Sequence, residues 1–182
     1  MMLRERSPAE LATGHAVRFY RSDEALAQIV ADAIGCGLEA EQPGLIVATP
    51  DHTALIVREL QLRGVDLEEL RRSGRFMLRD AARTLNDFMI DGVPDPVLFG
   101  KVMHPLLEDL CQGRPGRIIH VYGEMVDVLW RRGDTRAAIQ LEMLWNDLAN
   151  RHDFSLLCGY AMGNFYKDAE KREICSHHTH SA

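Results

Sequence analysis

Gly44-Leu-Ile-Val-Ala-Thr49 is the stretch on which the fold class turns. It is a continuous apolar run of strand length without alternation. Such runs fit a strand covered on both faces, as in a parallel sheet. Pro50-Asp51 follows at once and starts a helix through about Leu62, closed by Gly64. A buried strand passing directly into a helix is the unit from which parallel α/β domains are built.

The same alternation extends outward from it. Upstream, His15 to Tyr20 reads as a short strand, and Ser22 is placed to cap a helix with Asp23 and Glu24 in its first turn. Leu26, Ile29, Val30, Ala33, Ile34 and Leu38 recur at helical spacing, and Gly35 and Gly37 weaken the end of that helix. Downstream, Asp66 to Glu69 has capping-box spacing for a short helix stopping at Gly74, and Arg75 to Asp80 reads as a third strand. After a less regular stretch, Asp95-Pro96 supplies a cap and a first-turn proline. The helix it opens runs toward Gln112, with Leu98, Val102, Leu106, Leu107 and Leu110 inward. Pro105 lies inside and is expected to kink it; Gly113 and Pro115 end it. Arg117 to Tyr122 gives strand four. A long helix from Asp134 to about His152 carries Ala137, Leu141, Leu144, Trp145 and Leu148, and Phe154 to Tyr160 gives strand five. These elements predict a three-layer α/β domain around a mainly parallel sheet of five strands or slightly more. Residues 1–13 read as a loose polar arm, 14–166 as the domain, and 167–182 as a short helix running into a linker or tail.

Composition narrows the function classes. The 182 residues carry 21 Lys+Arg against 27 Asp+Glu, a net charge of −6 with both signs mixed, so no basic stripe marks a nucleic-acid binder. No run of 18 apolar residues exists for a membrane span, and the N-terminus lacks a signal peptide's apolar stretch. Cys36, Cys111, Cys158 and Cys175 are scattered without a Cys-x-x-Cys pair and read as free, mostly structural thiols in a cytoplasmic protein.

Parallel sheets bind ligands beyond the carboxyl ends of their strands. Those ends offer Tyr20, Arg21, Ser22 and Asp23; Thr49, Asp51 and His52; Arg79 and Asp80; Tyr122, Gly123 and Glu124; and Tyr160. Strand ends carry polar caps in any case, so the set alone does not establish a pocket. A phosphate cradle after strand one would need a glycine-rich turn and a lysine. Phe19 to Leu26 has neither and places two acids there, so P-loop ATP hydrolysis is excluded. No Gly-x-Ser-x-Gly elbow is present, Cys158 sits in an apolar strand, and Glu124 has no partner evident in sequence, so the chain reads as non-enzymatic and without a cofactor. His15 reads as a hydrogen-bonded core histidine with a possible place under a pocket floor. Glu142 and Asn146, one turn apart, are either solvated or complete a pocket with Glu124, and spacing does not choose. The closing segment offers Cys175, His178 and His180 as metal-binding residue types, but without a second cluster at zinc spacing it reads as a polar tail.

An ordered set of short motifs resembles one family. It comprises His15-x-x-x-Phe-Tyr20 with Asp23, Gly-Leu-x-Ala-x-x-Pro-Gly-Leu-Ile-Val from Gly37 to Val47, and Gly64-Val-Asp-Leu-x-x-Leu-x-x-Ser-Gly74. Gly123-Glu-Met125, Leu141-Glu142 with Asn146, and Cys158-x-Tyr160 follow in order. Together, over about residues 14–166, they resemble the MEDS domain, the methanogen and methylotroph sensory domain, itself similar to the KaiC and RecA type of ATPase scaffold. The resemblance implies a bacterial sensory domain, of the kind found in two-component systems, that keeps that scaffold without the phosphate site. It implies small hydrocarbon derivatives as ligands, and His15, Tyr20, Asp23, Glu124, Glu142, Asn146 and Tyr160 as ligand-binding candidates, to which the strand-end reading adds Arg21. Ile174 to His180 is similar to the segment that leads, in longer members, into a kinase or another output module.

The expectation is therefore a non-catalytic cytoplasmic sensor of a small organic ligand that signals to an output module, or to a histidine kinase or regulator, with a homodimer possible. A degenerate nucleotide-binding regulatory domain and a pure interaction module are the alternatives.

Overall fold

In a computed structural model of the chain, residues 14–112, 116–164 and 168–181 are described. The expected arm at residues 1–13 and the helix-ending Gly113 and Pro115 lie outside them. Five strands form the body of one sheet: β1 (Gly14–Tyr20), β2 (Gly44–Ala48), β3 (Phe76–Asp80), β6 (Ile119–Gly123) and β7 (Phe154–Ala161). A two-residue strand, β8 (His180–Ser181), adds a sixth, giving the order β3-β2-β6-β7-β1-β8 with every pair parallel. Every residue of β2 is buried, as its unbroken apolar run requires.

Side chains alternate across the strands and so divide the core in two. Tyr20, Ile46, Ala48, Tyr122 and Leu157 face α1 (Asp23–Glu39), α2 (Pro50–Leu62) and α3 (Leu67–Arg72). Val17, Leu45, Val47, Val121, Leu156, Cys158 and Tyr160 face the other layer. That layer comprises α4 (Ala81–Asn86), α5 (Pro96–Cys111), α6 (Met125–Arg131), α7 (Thr135–Ala149) and α8 (Asp168–Ser176). The chain is thus the three-layer α/β domain its alternation predicts. Among the described residues no helix is long and apolar enough to cross a membrane.

Local details depart from the sequence pattern where packing overrides it. The stretch read as irregular after β3 folds: Asp80 accepts from Arg83 N to cap α4. Asp91-Gly92, both at positive φ (49° and 78°), then turn a small hairpin between β4 (Met89–Ile90) and β5 (Val93–Pro94). α6, between β6 and α7, was not evident from the apolar spacing. α1 does not weaken at its glycines but runs through both. Gly37 makes room for a neighbour, since a Cβ there would lie 2.3 Å from the His120 ring. α5 continues through Pro105, and its buried face holds Phe99 and Met103, leaving Leu98 and Val102 only partly covered. Ile29, Ala33 and Leu144 are likewise half-buried at the margins of their stripes. The segment expected to end as a tail instead returns to the sheet. Thr179 N donates to His15 O (2.7 Å), and β8 pairs with Ala16 and Val17.

Candidate functional site

The ligand-binding candidates fall into two polar clusters, one along the carboxyl ends of the strands and one on the face of the sheet covered by α7. The first lies at the carboxyl ends of the strands. Glu124, the residue after β6, is fully buried. Thr49 at the end of β2 donates to it twice, from N (3.2 Å) and from Oγ1 (3.0 Å). His52 Nδ1 stands 2.8 Å from Glu124 Oε1, and its Nε2 stands 3.1 Å from Asp23 Oδ1. Asp23, 59% exposed, ends this chain of groups at the surface. Burial disfavours a charged imidazole, but the carboxylates of Glu124 and Asp23 outweigh it and raise the His52 pKa above its ordinary value. Glu124, without an evident partner in sequence, thus has three donors within reach once β2 and β6 pair.

Beside it, Tyr20 at the end of β1 donates to Asp127 Oδ2 (3.1 Å). Asp127, fully buried on α6, also accepts from Arg131 Nε (2.7 Å) and from Ala161 N at the end of β7 (3.1 Å). Arg131 also donates to the Tyr20 hydroxyl. Burial, then the Asp127 charge, push the Tyr20 phenol well above its ordinary pKa. Asp127 and Arg131 were absent from the sequence candidates. Their signal, Asp and Arg four apart just after a strand end, is also that of an ordinary helix-surface pair. Arg21, Asp51 and Arg79 are exposed at this edge, Ser22 caps α1, and Asp80 caps α4. Those last two are capping groups by geometry.

The second cluster sits under α7 and the C-terminal segment. Glu142 is fully buried, and its Oε1 accepts from Tyr160 Oη (2.7 Å). Its Oε2 lies 3.0 Å from His15 Nε2 and 3.6 Å from Cys158 Sγ. His15 Nε2 is 3.1 Å from Cys158 Sγ, and its Nδ1 is 2.9 Å from Asn146 Oδ1. Asn146 Nδ2 donates to His177 O (2.9 Å), and the buried His178 ring lies 4.1 Å from that of His15. Burial pushes Glu142 upward, but the hydrogen bond from His15 and the nearby His178 outweigh it and hold the carboxyl below its ordinary range. Burial, then Glu142, raise the Cys158 thiol and the Tyr160 phenol. Glu142 and Asn146 therefore meet His15 and Tyr160, not Glu124. His178, read as part of a polar tail, is instead docked on the core, whereas Cys175 packs at the core margin and the His180 side chain lies outside the described residues.

β7 joins the clusters. Tyr160 faces α7 and binds Glu142, while the next residue, Ala161, gives its backbone N–H to Asp127. A separate cleft between α5 and α7, lined by Phe99, His104, Asp147 and Arg151, holds only about 90 Å³. That is well below the roughly 300 Å³ at which drug-sized ligand pockets begin.

Fold and clusters define a parallel α/β domain with charged groups buried at the carboxyl ends of its strands and beneath α7, and with its C-terminal segment folded onto the second of these clusters. The chain belongs to the MEDS family, the methanogen/methylotroph DcmR sensory domain, which matches residues 14–179. It is a sensory-type domain. Among solved structures it is similar to an uncharacterized protein from Pyrococcus horikoshii, crystallised with an unknown peptide. The two share 13% identity with a TM-score of 0.58, over 91% of this chain and 73% of that one, which is a likeness of fold. No curated protein matches the chain.

Proposed function

We propose that this domain is a non-catalytic cytoplasmic sensor. A small organic molecule binds at the carboxyl edge of the sheet, around Glu124, His52 and Asp23. Binding changes how firmly residues 177–181 dock, and so what an output module, a kinase or regulator, or a second copy of the chain meets. One observation carries this reading. The neighbours Tyr160 and Ala161 on β7 tie the cluster holding the C-terminal segment to the cluster at the strand ends. The bistable element is short: a two-residue strand held by Thr179 and His178, which opens at far lower cost than the core. A ligand moves it only through different affinity for the docked and open forms. The family's sensory character and the partly exposed route from Asp23 to the buried Glu124 support the input site.

The test is a thermal-shift and NMR screen with short halocarbons, alcohols and amines, with ATP and magnesium as a separate arm. Stabilisation by a small organic molecule that Glu124→Ala abolishes supports the reading. Absence of any binder, or binding that ignores Glu124, counts against it, and sub-millimolar magnesium-dependent ATP binding would replace it with the nucleotide alternative.

A further inference from the structure

We propose that His15, Glu142, Cys158 and His178 form a binding site for one divalent transition-metal ion of the zinc class. The site goes beyond the small-molecule reading and does not depend on it. Four residues, one each from β1, α7, β7 and the segment before β8, bring one ligand atom apiece to within 4.8 Å of one another. Two imidazoles, a thiol and a carboxylate are the donor set zinc takes. With metal–nitrogen and metal–oxygen bonds of about 2.0 Å and a metal–sulfur bond of about 2.3 Å, the edges of a tetrahedral site measure roughly 3.3–3.6 Å. With Glu142 Oε2 as the ligand atom the contacts are 3.0 Å (His15 to Glu142), 3.1 Å (His15 to Cys158) and 3.6 Å (Cys158 to Glu142), while His178 Nε2 stands 3.3 Å from Oε1 and within the 4.8 Å span of the cluster. To reach that polyhedron the shortest edges lengthen by a few tenths of an ångström and His178 closes in from within 4.8 Å.

The outer contacts point both imidazoles the same way. Asn146 donates through Nδ2 to His177 O, so its Oδ1 is the acceptor that faces His15 Nδ1. His178 Nδ1 faces the Ile174 carbonyl at 2.7 Å. Both Nδ1 atoms are therefore donors, so with the ion bound each ring, neutral, has its Nε2 lone pair free for the metal. A histidine that ligates metal through Nε2 and donates its Nδ1–H to an oxygen is the usual arrangement. His178 supplies an independent sign. Its side chain is fully buried, yet Nε2 makes no hydrogen bond among the described residues, its 3.3 Å approach to Glu142 falling outside hydrogen-bond geometry. Buried polar atoms are seldom left so. Tyr160 holds Glu142 from outside through Oε1. With four protein ligands the site is closed, which suits a structural or sensing ion rather than a catalytic one. Because His178 alone comes from the C-terminal segment, the ion would clasp that segment to β1, β7 and α7.

The test uses the full, tag-free chain stripped with a chelator and titrated with zinc or cobalt(II) alone. The expected result is one ion per chain, a raised thermal midpoint with zinc, and a cobalt spectrum with strong visible d–d bands and a thiolate charge-transfer band. Cys158→Ser should lose the charge-transfer band. His178→Gln, outside the main core and so the safer variant for folding, should lose the zinc-induced thermal shift, while Cys175→Ser keeps both. Asn146→Ala should weaken zinc binding about ten- to a hundredfold. Failure to bind one equivalent, a cobalt spectrum without the thiolate band, or wild-type binding by His178→Gln would overturn the proposal. None of these outcomes bears on the organic-ligand screen, whose dependence is on Glu124.

Discussion

Asp127 offers the sharpest test of how the carboxyl edge is held. Its carboxylate is inaccessible to solvent and accepts from Tyr20 Oη at 3.1 Å, Arg131 Nε at 2.7 Å and Ala161 N at 3.1 Å. Asp127→Ala would leave the buried Tyr20 hydroxyl and the half-buried Ala161 amide without that acceptor, each at about 1–3 kcal/mol. Arg131, 41% exposed, can turn to water, so its lost ion pair adds little. Removing one partner of a buried pair commonly costs about 3–5 kcal/mol, and the two orphaned donors account for a loss of that size. Asp127→Asn keeps the acceptor for Ala161 but sets an NH₂ against the Arg131 donor, so about half the loss is expected, roughly 2 kcal/mol. Urea unfolding followed by circular dichroism gives the midpoint and slope of each variant. An Asp127→Ala protein within about 1 kcal/mol of wild type at unchanged slope would refute the claim that this carboxylate ties β1, α6 and β7 together.

Other substitutions probe separate features. Tyr122→Phe removes a buried hydroxyl that has no hydrogen-bond partner among the described residues, so urea midpoints should stay level or rise. Gly37→Ala should cost about 1–3 kcal/mol by the same assay, because the new methyl must displace the His120 ring. His52 binds its proton more tightly folded than unfolded, so its contribution is full below 6.5 and lost as pH rises through the raised folded value. The stability gap between wild type and His52→Gln should therefore narrow with rising pH across that window; a widening gap would reverse the assigned sign. Thr179→Val loses the hydroxyl that accepts from His15 N and donates to His15 O. Hydrogen exchange should quicken several-fold at 177–181 and stay unchanged in β2.

Much of this architecture is written locally. The β2 run, the Ser22, Asp66 and Asp95 caps and the apolar stripe of α7 each specify their element from a handful of neighbours, and the sheet follows from their alternation. The failures have both local and tertiary origins. Asp80 and Asp91-Gly92 carry a cap and a turn signal inside a stretch with too little apolar periodicity to draw notice. The face of α5 is set by Phe99 and Met103 docking on Trp145 and its neighbours, which no spacing within the helix encodes. Asp127 and Arg131 apart, the site residues were individually visible, because a His, Glu or Tyr amid apolar neighbours stands out. Their grouping was not. His15 and Cys158 are 143 positions apart and His15 and Thr179 are 164 apart, joined only by parallel pairing of β1 with β7 and β8. Absence of zinc-like spacing in the tail therefore said nothing about ligands contributed by distant strands.

Hydrogen exchange at the Thr179 amide, which donates to His15 O across the β1–β8 pairing, tests the sensory account most directly. The measurement compares the free chain with the chain saturated by an organic binder whose affinity depends on Glu124. The account predicts that protection at 177–181 changes with occupancy and that the change disappears in Asp127→Ala, where Ala161 N loses its acceptor. Saturation that leaves the exchange of 177–181 untouched would contradict it.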